Sequence, residues 1–117
     1  MDISDPTKVF SEAKKYAESL NSLDILINIV NDEVKQSKFV DYDMLSIQYI
    51  INVNCTSRIA LTKAFIPLLR RSKGRIVFIS SVTGLAGFGL QSISSCTQFA
   101  ISGFAKSIRP ELKDLGI

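Results

Sequence analysis

The chain has 117 residues, enough for one domain or part of one, and its 46% apolar and 21% charged side chains exclude a disordered tail, a collagen-like repeat and a disulfide-dense mini-protein. Histidine is absent, which excludes Ser-His-Asp and Cys-His nucleophile systems and His-ligated metals, and the 2 cysteines are too few for a zinc site without it. The net charge of +3 is uneven: the first 57 residues carry 5 basic and 9 acidic side chains, the remainder 9 basic and 2 acidic.

The first predicted element is a helix over residues 6–20. Asp5 caps it, and Pro6 suits its first position, where a missing N–H has no partner to lose. Val9, Ala13, Tyr16, Ala17 and Leu20 recur at helical spacing. Residues 23–30 (LDILINIV) form a nearly continuous apolar run, the pattern of a strand buried in a parallel sheet. After a polar loop over 31–40, Asp41 caps a long helical stretch to about residue 69, with Pro67 bending its last turn. Ser72-Lys73-Gly74 stops that helix, and residues 75–80 (RIVFIS) make a second strand. A glycine-containing loop over 81–89 leads to a final helix over 92–115, in which Pro110 removes a hydrogen bond to Lys106 and predicts a kink. Helix, strand, helix, strand, helix is the alternation of an α/β layer fold with a parallel sheet and right-handed crossovers.

Three features invite other readings. The glycines of 83–89 follow a strand and precede a helix, but their spacing is G-x-x-G-x-G, not G-x-G-x-x-G, so they read as a flexible loop beside a site and not as a phosphate cradle. Arg58, Lys63, Arg70, Arg71, Lys73 and Arg75 follow one another with no acid between them. Without interleaved aromatics for base stacking they read as a solvated helix face and a basic turn, so no nucleic-acid partner is expected. Cys55 and Cys96 suggest no disulfide framework and point to a reducing compartment. No apolar run approaches the roughly 18 residues of a membrane span, and Asp2 and Asp5 are unlike a signal peptide; the expectation is a cytoplasmic protein with no membrane segment.

Several stretches in order resemble the short-chain dehydrogenase/reductases, NAD(P)-dependent enzymes on a Rossmann sheet. Asp2-Ile3-Ser4-Asp5 resembles the family's D-V-[ST]-D segment, and Leu23-Asp24-Ile25-Leu26-Ile27-Asn28 resembles the L-D-x-L-[VI]-N approach to its N-N-A-G strand. Asn52-Val53-Asn54 with residues 62–69 (TKAFIPLL) resembles the helix of the catalytic Asn, residues 74–81 (GRIVFISS) the strand ending in the catalytic Ser, and Phe99-Ala100 through Glu111-Leu112-Lys113 the helix after Tyr-x-x-x-Lys. GRIVFISS, GLAGFG and FAISGFA look most like the lipid-handling members: 3-ketodihydrosphingosine reductases and steroid and retinol dehydrogenases.

The resemblance implies an α/β fold, a partial Rossmann-type parallel sheet flanked by helices. Only the family's strands 3, 4 and 5 would be present, with strand 3 ending around residues 1–3. The phosphate-binding unit would precede Met1 and the substrate region would follow Ile117, so that residues 1–117 form the central part of one domain, marginal in isolation because its strand edges are open. The implied chemistry is oxidoreduction of a carbonyl or alcohol of lipid, steroid or retinoid type, with NAD or NADP as cofactor. By the same resemblance Asn54 and Ser81 are retained catalytic positions, and Asp2 and Asn28 are cofactor-binding. Ser94 and Gln98 stand where the family has its catalytic Tyr and Lys. Serine is a far weaker acid than a phenol, whose ordinary pKa is about 10, and glutamine carries no charge to lower it. The expectation is a family member without turnover in which Asn31, at the position of the family's Gly, also weakens cofactor binding. The alternative is a non-catalytic interaction module that pairs through helices 42–69 and 92–115 with itself or with an intact paralogue.

Overall fold

The computed structural model describes residues 2–30 and 36–117. Helix α1 (Pro6–Glu18) starts as its sequence dictates: the Asp5 carboxylate accepts from the Thr7 and Lys8 amides, each at 3.0 Å, and Pro6 occupies the first turn. Val9, Ala13 and Ala17 recur every four residues and are its buried stripe. The helix closes two residues before Leu20, whose amide bonds Ala17 O in a tighter final turn.

Strands β1 (Ile25–Asn28) and β2 (Arg75–Phe78) pair in parallel, from Ile25 opposite Arg75 to Asn28 opposite Phe78. Both are shorter than their apolar runs. In a two-stranded sheet a residue stays in the ladder only while its one partner does, and Ile79 N to Asn28 O, at 3.0 Å, is the bond beyond the last pair. Residues 2–5 add no strand: Ile3 and Ser4 form a turn, with the Asp2 carboxylate accepting from the Ser4 amide and hydroxyl at 2.9 and 2.8 Å. Met1 lies outside the described residues.

From residue 44 to 72 the chain toward β2 follows one helical path in three parts: α2 (Met44–Ile51), a π-helical turn (Asn52–Thr56) and α3 (Ser57–Ser72). Asp43, not Asp41, is the cap, accepting from the Ser46 amide at 2.8 Å and its hydroxyl at 2.9 Å; Asp41 belongs to a short 3-10 turn before it. Pro67 does not end α3. It and Lys63, whose carbonyl loses its amide partner, are both exposed, so water can serve that carbonyl. The same holds for Pro110 and Lys106 in α4 (Ser92–Lys113), which runs through the proline.

Lys73 takes the left-handed conformation that ends α3 (φ 52°), and Gly74 follows because of space. A Cβ on Gly74 would lie 2.7 Å from both Leu23 O and Asp24 O, backbone atoms that cannot swing away. Gly74→Ala is therefore expected to destabilise the chain by roughly 1–3 kcal/mol, read as a lower urea midpoint at unchanged slope.

Ala13, Ala17, Leu26, Ala64, Phe65, Leu68 and Leu69 form one core between α1, α3 and β1. Alternation along the strands sets Leu26 and Asn28 toward the helices, while Ile25, Ile27 and Val77 are exposed on the other face. The architecture is thus a short parallel sheet with helices on one face, and both strands direct their carboxyl ends to one side.

Candidate functional site

Polar side chains gather where β1 and β2 end. Asn28 closes β1 at 1% exposure, its Nδ2 donating to Thr62 Oγ1 at 3.2 Å. Thr62 Oγ1 in turn donates to Arg58 O at 2.8 Å. Asn54, Arg58 and Thr62 stand four residues apart along the π turn and α3, and all three are buried. They form a polar stripe on the helix face turned toward the sheet. Asn54 sits in the middle of the π turn, a distortion frequent at functional sites.

Arg58 contradicts its sequence assignment to a solvated basic face: it is 1% exposed. Its Nη2 donates to Ile79 O at 2.7 Å and Asn28 O at 3.1 Å, and its guanidinium carbon lies 5.9 Å from the Phe78 ring centre. Burial pushes its pKa below the ordinary arginine value, opposed in part by the nearby Cys55. The Cys55 thiol itself is pushed up, first by burial and then by Cys96, so it is no ready thiolate. The signal for Arg58 lay in the 54-58-62 spacing, which places it with Asn54 on one helix face.

Ser81 follows β2, half-buried, and its Oγ accepts from the Thr83 amide at 3.4 Å, capping the 3-10 turn Val82–Gly84. Ser94 and Gln98 share one face of α4. Ser94 is half-buried, while Gln98 is 1% exposed and its Oε1 accepts from Ser80 Oγ at 3.1 Å. So Gln98 reaches the residue before Ser81, and its amide oxygen is engaged there. Gly84 makes that contact possible: a Cβ on it would lie 2.8 Å from Ser80 Oγ and 3.1 Å from the Gln98 backbone. Gly84 is a spacer within the loop that the sequence read as flexible; Gly87 and Gly89 face open space.

Asp2 stands outside this hydrogen-bonded group. Its carboxylate is held below the usual range first by the Ser4 amide and then by the Ser4 hydroxyl. Asn31 lies outside the described residues. Among the described residues no group of three or more His, Cys, Asp or Glu could hold a metal, and no helix is long and apolar enough to cross a membrane.

In open α/β sheets ligands sit beyond the carboxyl ends of the strands, and Asn28, Asn54, Arg58, Ser81, Ser94 and Gln98 are the side chains around that end. They offer amides, hydroxyls and one cation. Asn28 Oδ1 is buried without a hydrogen-bond partner. Chemically the set can orient a carbonyl or a ribose. It contains no carboxylate, phenol or imidazole to exchange a proton near neutral pH.

The short chain dehydrogenase family profile matches residues 1–117. The chain is 31% identical over 120 residues to mouse 3-ketodihydrosphingosine reductase, covering 100% of this chain and 36% of that protein. It is 29% identical over 120 residues to mouse estradiol 17-beta-dehydrogenase 2, of which it spans 31%, and 26% identical over 117 residues to the ketoacyl reductase HetN of Nostoc, of which it spans 40%. The chain thus spans two fifths or less of these relatives. Among solved structures, ElxO with NADP bound superposes with a TM-score of 0.86 at 26% identity, over 100% of this chain and 48% of that one. Carveol dehydrogenase from Mycobacterium avium in complex with NAD gives 0.85 at 22% identity, over 98% and 42%.

Proposed function

Since the chain belongs to the short-chain dehydrogenase family, we propose that it carries a nicotinamide-dinucleotide site for a carbonyl or alcohol of lipid or steroid type, in which the proton relay is lost. The cofactor supplies hydride chemistry when bound. By that resemblance Asn28 would lie against the cofactor, while Asn54 and Ser81, the retained catalytic positions, and the Ser94 hydroxyl would stand about the reacting oxygen. The substrate class rests on the similarity to 3-ketodihydrosphingosine reductase and estradiol 17-beta-dehydrogenase 2. The loss of turnover rests on one observation: Gln98, neutral and 1% exposed, spends its Oε1 on Ser80, one helical turn from an alcohol at Ser94. No group there lowers the pKa of a proton donor, and Ser94 is too weak an acid to serve unaided.

Binding and turnover separate the two halves of this reading. Fluorescence titration with NADPH and NADH is expected to show saturable binding of at least one. No saturation with either would refute the dinucleotide site.

A second reading is favoured by the outer faces of the same helices. Met44, Leu45 and Tyr49 on α2 and Phe99 on α4 are large apolar side chains left exposed, and α2 packs against α4. Pairing of two copies, or of this chain with an intact paralogue, through α2, α3 and α4 would cover them. Sedimentation at rising concentration is expected to give a dimer that Leu45→Glu dissociates; a strict monomer throughout would remove self-pairing.

A further inference from the structure

Stability does not explain the place of Arg58. Two of its nitrogens, Nε and Nη1, are buried without a hydrogen-bond partner, and the side chain as a whole is 1% exposed. A buried cation with idle donors is costly, and an apolar residue of similar volume usually serves a core as well or better. An anion resting on those donors is ruled out by the geometry, because neither atom has surface for a ligand to touch.

What the guanidinium does do is specific. A single nitrogen, Nη2, donates to Asn28 O at 3.1 Å and Ile79 O at 2.7 Å. They are the carbonyls of the two residues joined by the closing Ile79 N to Asn28 O bond at 3.0 Å: Asn28 ends β1 and Ile79 follows β2. Beyond that bond the ladder offers nothing more, and the backbone leaves Ile79 for Ser80 and Ser81. The Phe78 ring, 5.9 Å from the guanidinium and edge-on to Phe104, limits where the cation can swing. Asn54 lies one helical turn earlier on the same face. One side chain therefore links the helix that carries Asn54, the end of β1 at Asn28 and the segment that leads into Ser81.

We propose that Arg58 is a positioning residue of the candidate site: its clamp on Asn28 O and Ile79 O fixes where Ser81 stands relative to Asn28 and Asn54. The inference rests on the dinucleotide-site reading above for its functional consequence, and on the clamp geometry for its structural one. Because one nitrogen makes both bonds, an ammonium can replace part of the clamp, whereas a thioether of similar reach makes neither bond.

The test compares Arg58→Met and Arg58→Lys with the unaltered chain by NADPH titration, by amide hydrogen exchange and by thermal unfolding. Arg58→Met is expected to unfold at the same or a higher temperature, since it removes a buried charge with two idle donors. It is also expected to bind NADPH at least tenfold more weakly, and to exchange at least tenfold faster at residues 79–81 with no change at residues 64–69. Arg58→Lys is expected to recover part of both losses. A merely structural arginine would instead speed exchange equally in both segments and lower the unfolding temperature, and that result overturns the proposal. So does Arg58→Met with unchanged exchange at 79–81. If the unaltered chain binds no NADPH, the dinucleotide reading fails by itself, and the exchange contrast between the two segments decides the clamp alone.

Discussion

The double variant S94Y/Q98K is expected to reduce NADP⁺ with a long-chain or steroidal alcohol about 10²–10⁴-fold faster than S94Y at neutral pH, a difference of about 3–5 kcal/mol in barrier. The two positions lie one turn apart on α4, half-buried and buried respectively, so a phenol and an ammonium placed there share a helix face. S94Y alone introduces a phenol with no neighbouring cation to lower its pKa from about 10. At neutral pH its rate stays at background, and it climbs only as pH approaches that value. The lysine of the double variant shifts this rise toward neutrality, because an ammonium favours the ionised phenol. Rate against pH checks both halves; equal profiles for the two variants would show that position 98 does not govern the proton acceptor.

Leu69→Ala is expected to be the most damaging single truncation of the core. Leu69 has 0% exposure and packs with Ala13, Ala17, Leu26 and Phe65 where α1, α3 and β1 meet. Its Cδ2 also lies 2.9 Å from where a Cβ on Gly74 would stand, so it seats the turn into β2 as well. Truncation leaves a cavity worth about 2–5 kcal/mol, a large share of the roughly 5–15 kcal/mol that stabilises a domain. Met44→Ala, at a residue 74% exposed, is the matched control and is expected to stay within about 0.5 kcal/mol of the unaltered chain. Urea unfolding followed by circular dichroism reads both.

The fold was legible wherever a local rule had no competitor. Asp5-Pro6 announced α1, the 9-13-17 spacing gave its buried stripe, and the two apolar runs located β1 and β2. The lengths of those strands were not legible, because they depend on how long a partner runs alongside. Asp41 and Asp43 both offer a cap, and only the backbone decides that the first lies in a 3-10 turn and the second at the helix. Pro67 and Pro110 suggested a bent turn and a kink, and each sits inside a helix on an exposed face where the orphaned carbonyl can meet water.

The site was legible in its polar positions and not in its wiring. Asn28, Asn54, Ser81, Ser94 and Gln98 all lie on the elements that meet at the strand ends, but the partner of Gln98 is Ser80, a contact set by the close approach of Gly84 to α4. Arg58 was hidden by its neighbours: in a run of basic residues its charge looked like surface, and only the register with Asn54 and Thr62 turns it inward. Asp2 carries a family resemblance but spends its carboxylate on Ser4.

Steady-state NADPH oxidation by the unaltered protein, with a long-chain ketone and then a steroidal ketone between pH 6 and 9, tests the central claim most directly. A site with an alcohol at Ser94 and a neutral amide at Gln98 predicts a rate equal to that of the protein-free control at every pH. Ketone-dependent oxidation above that control, removed by Asn54→Ala or Ser81→Ala, would contradict it.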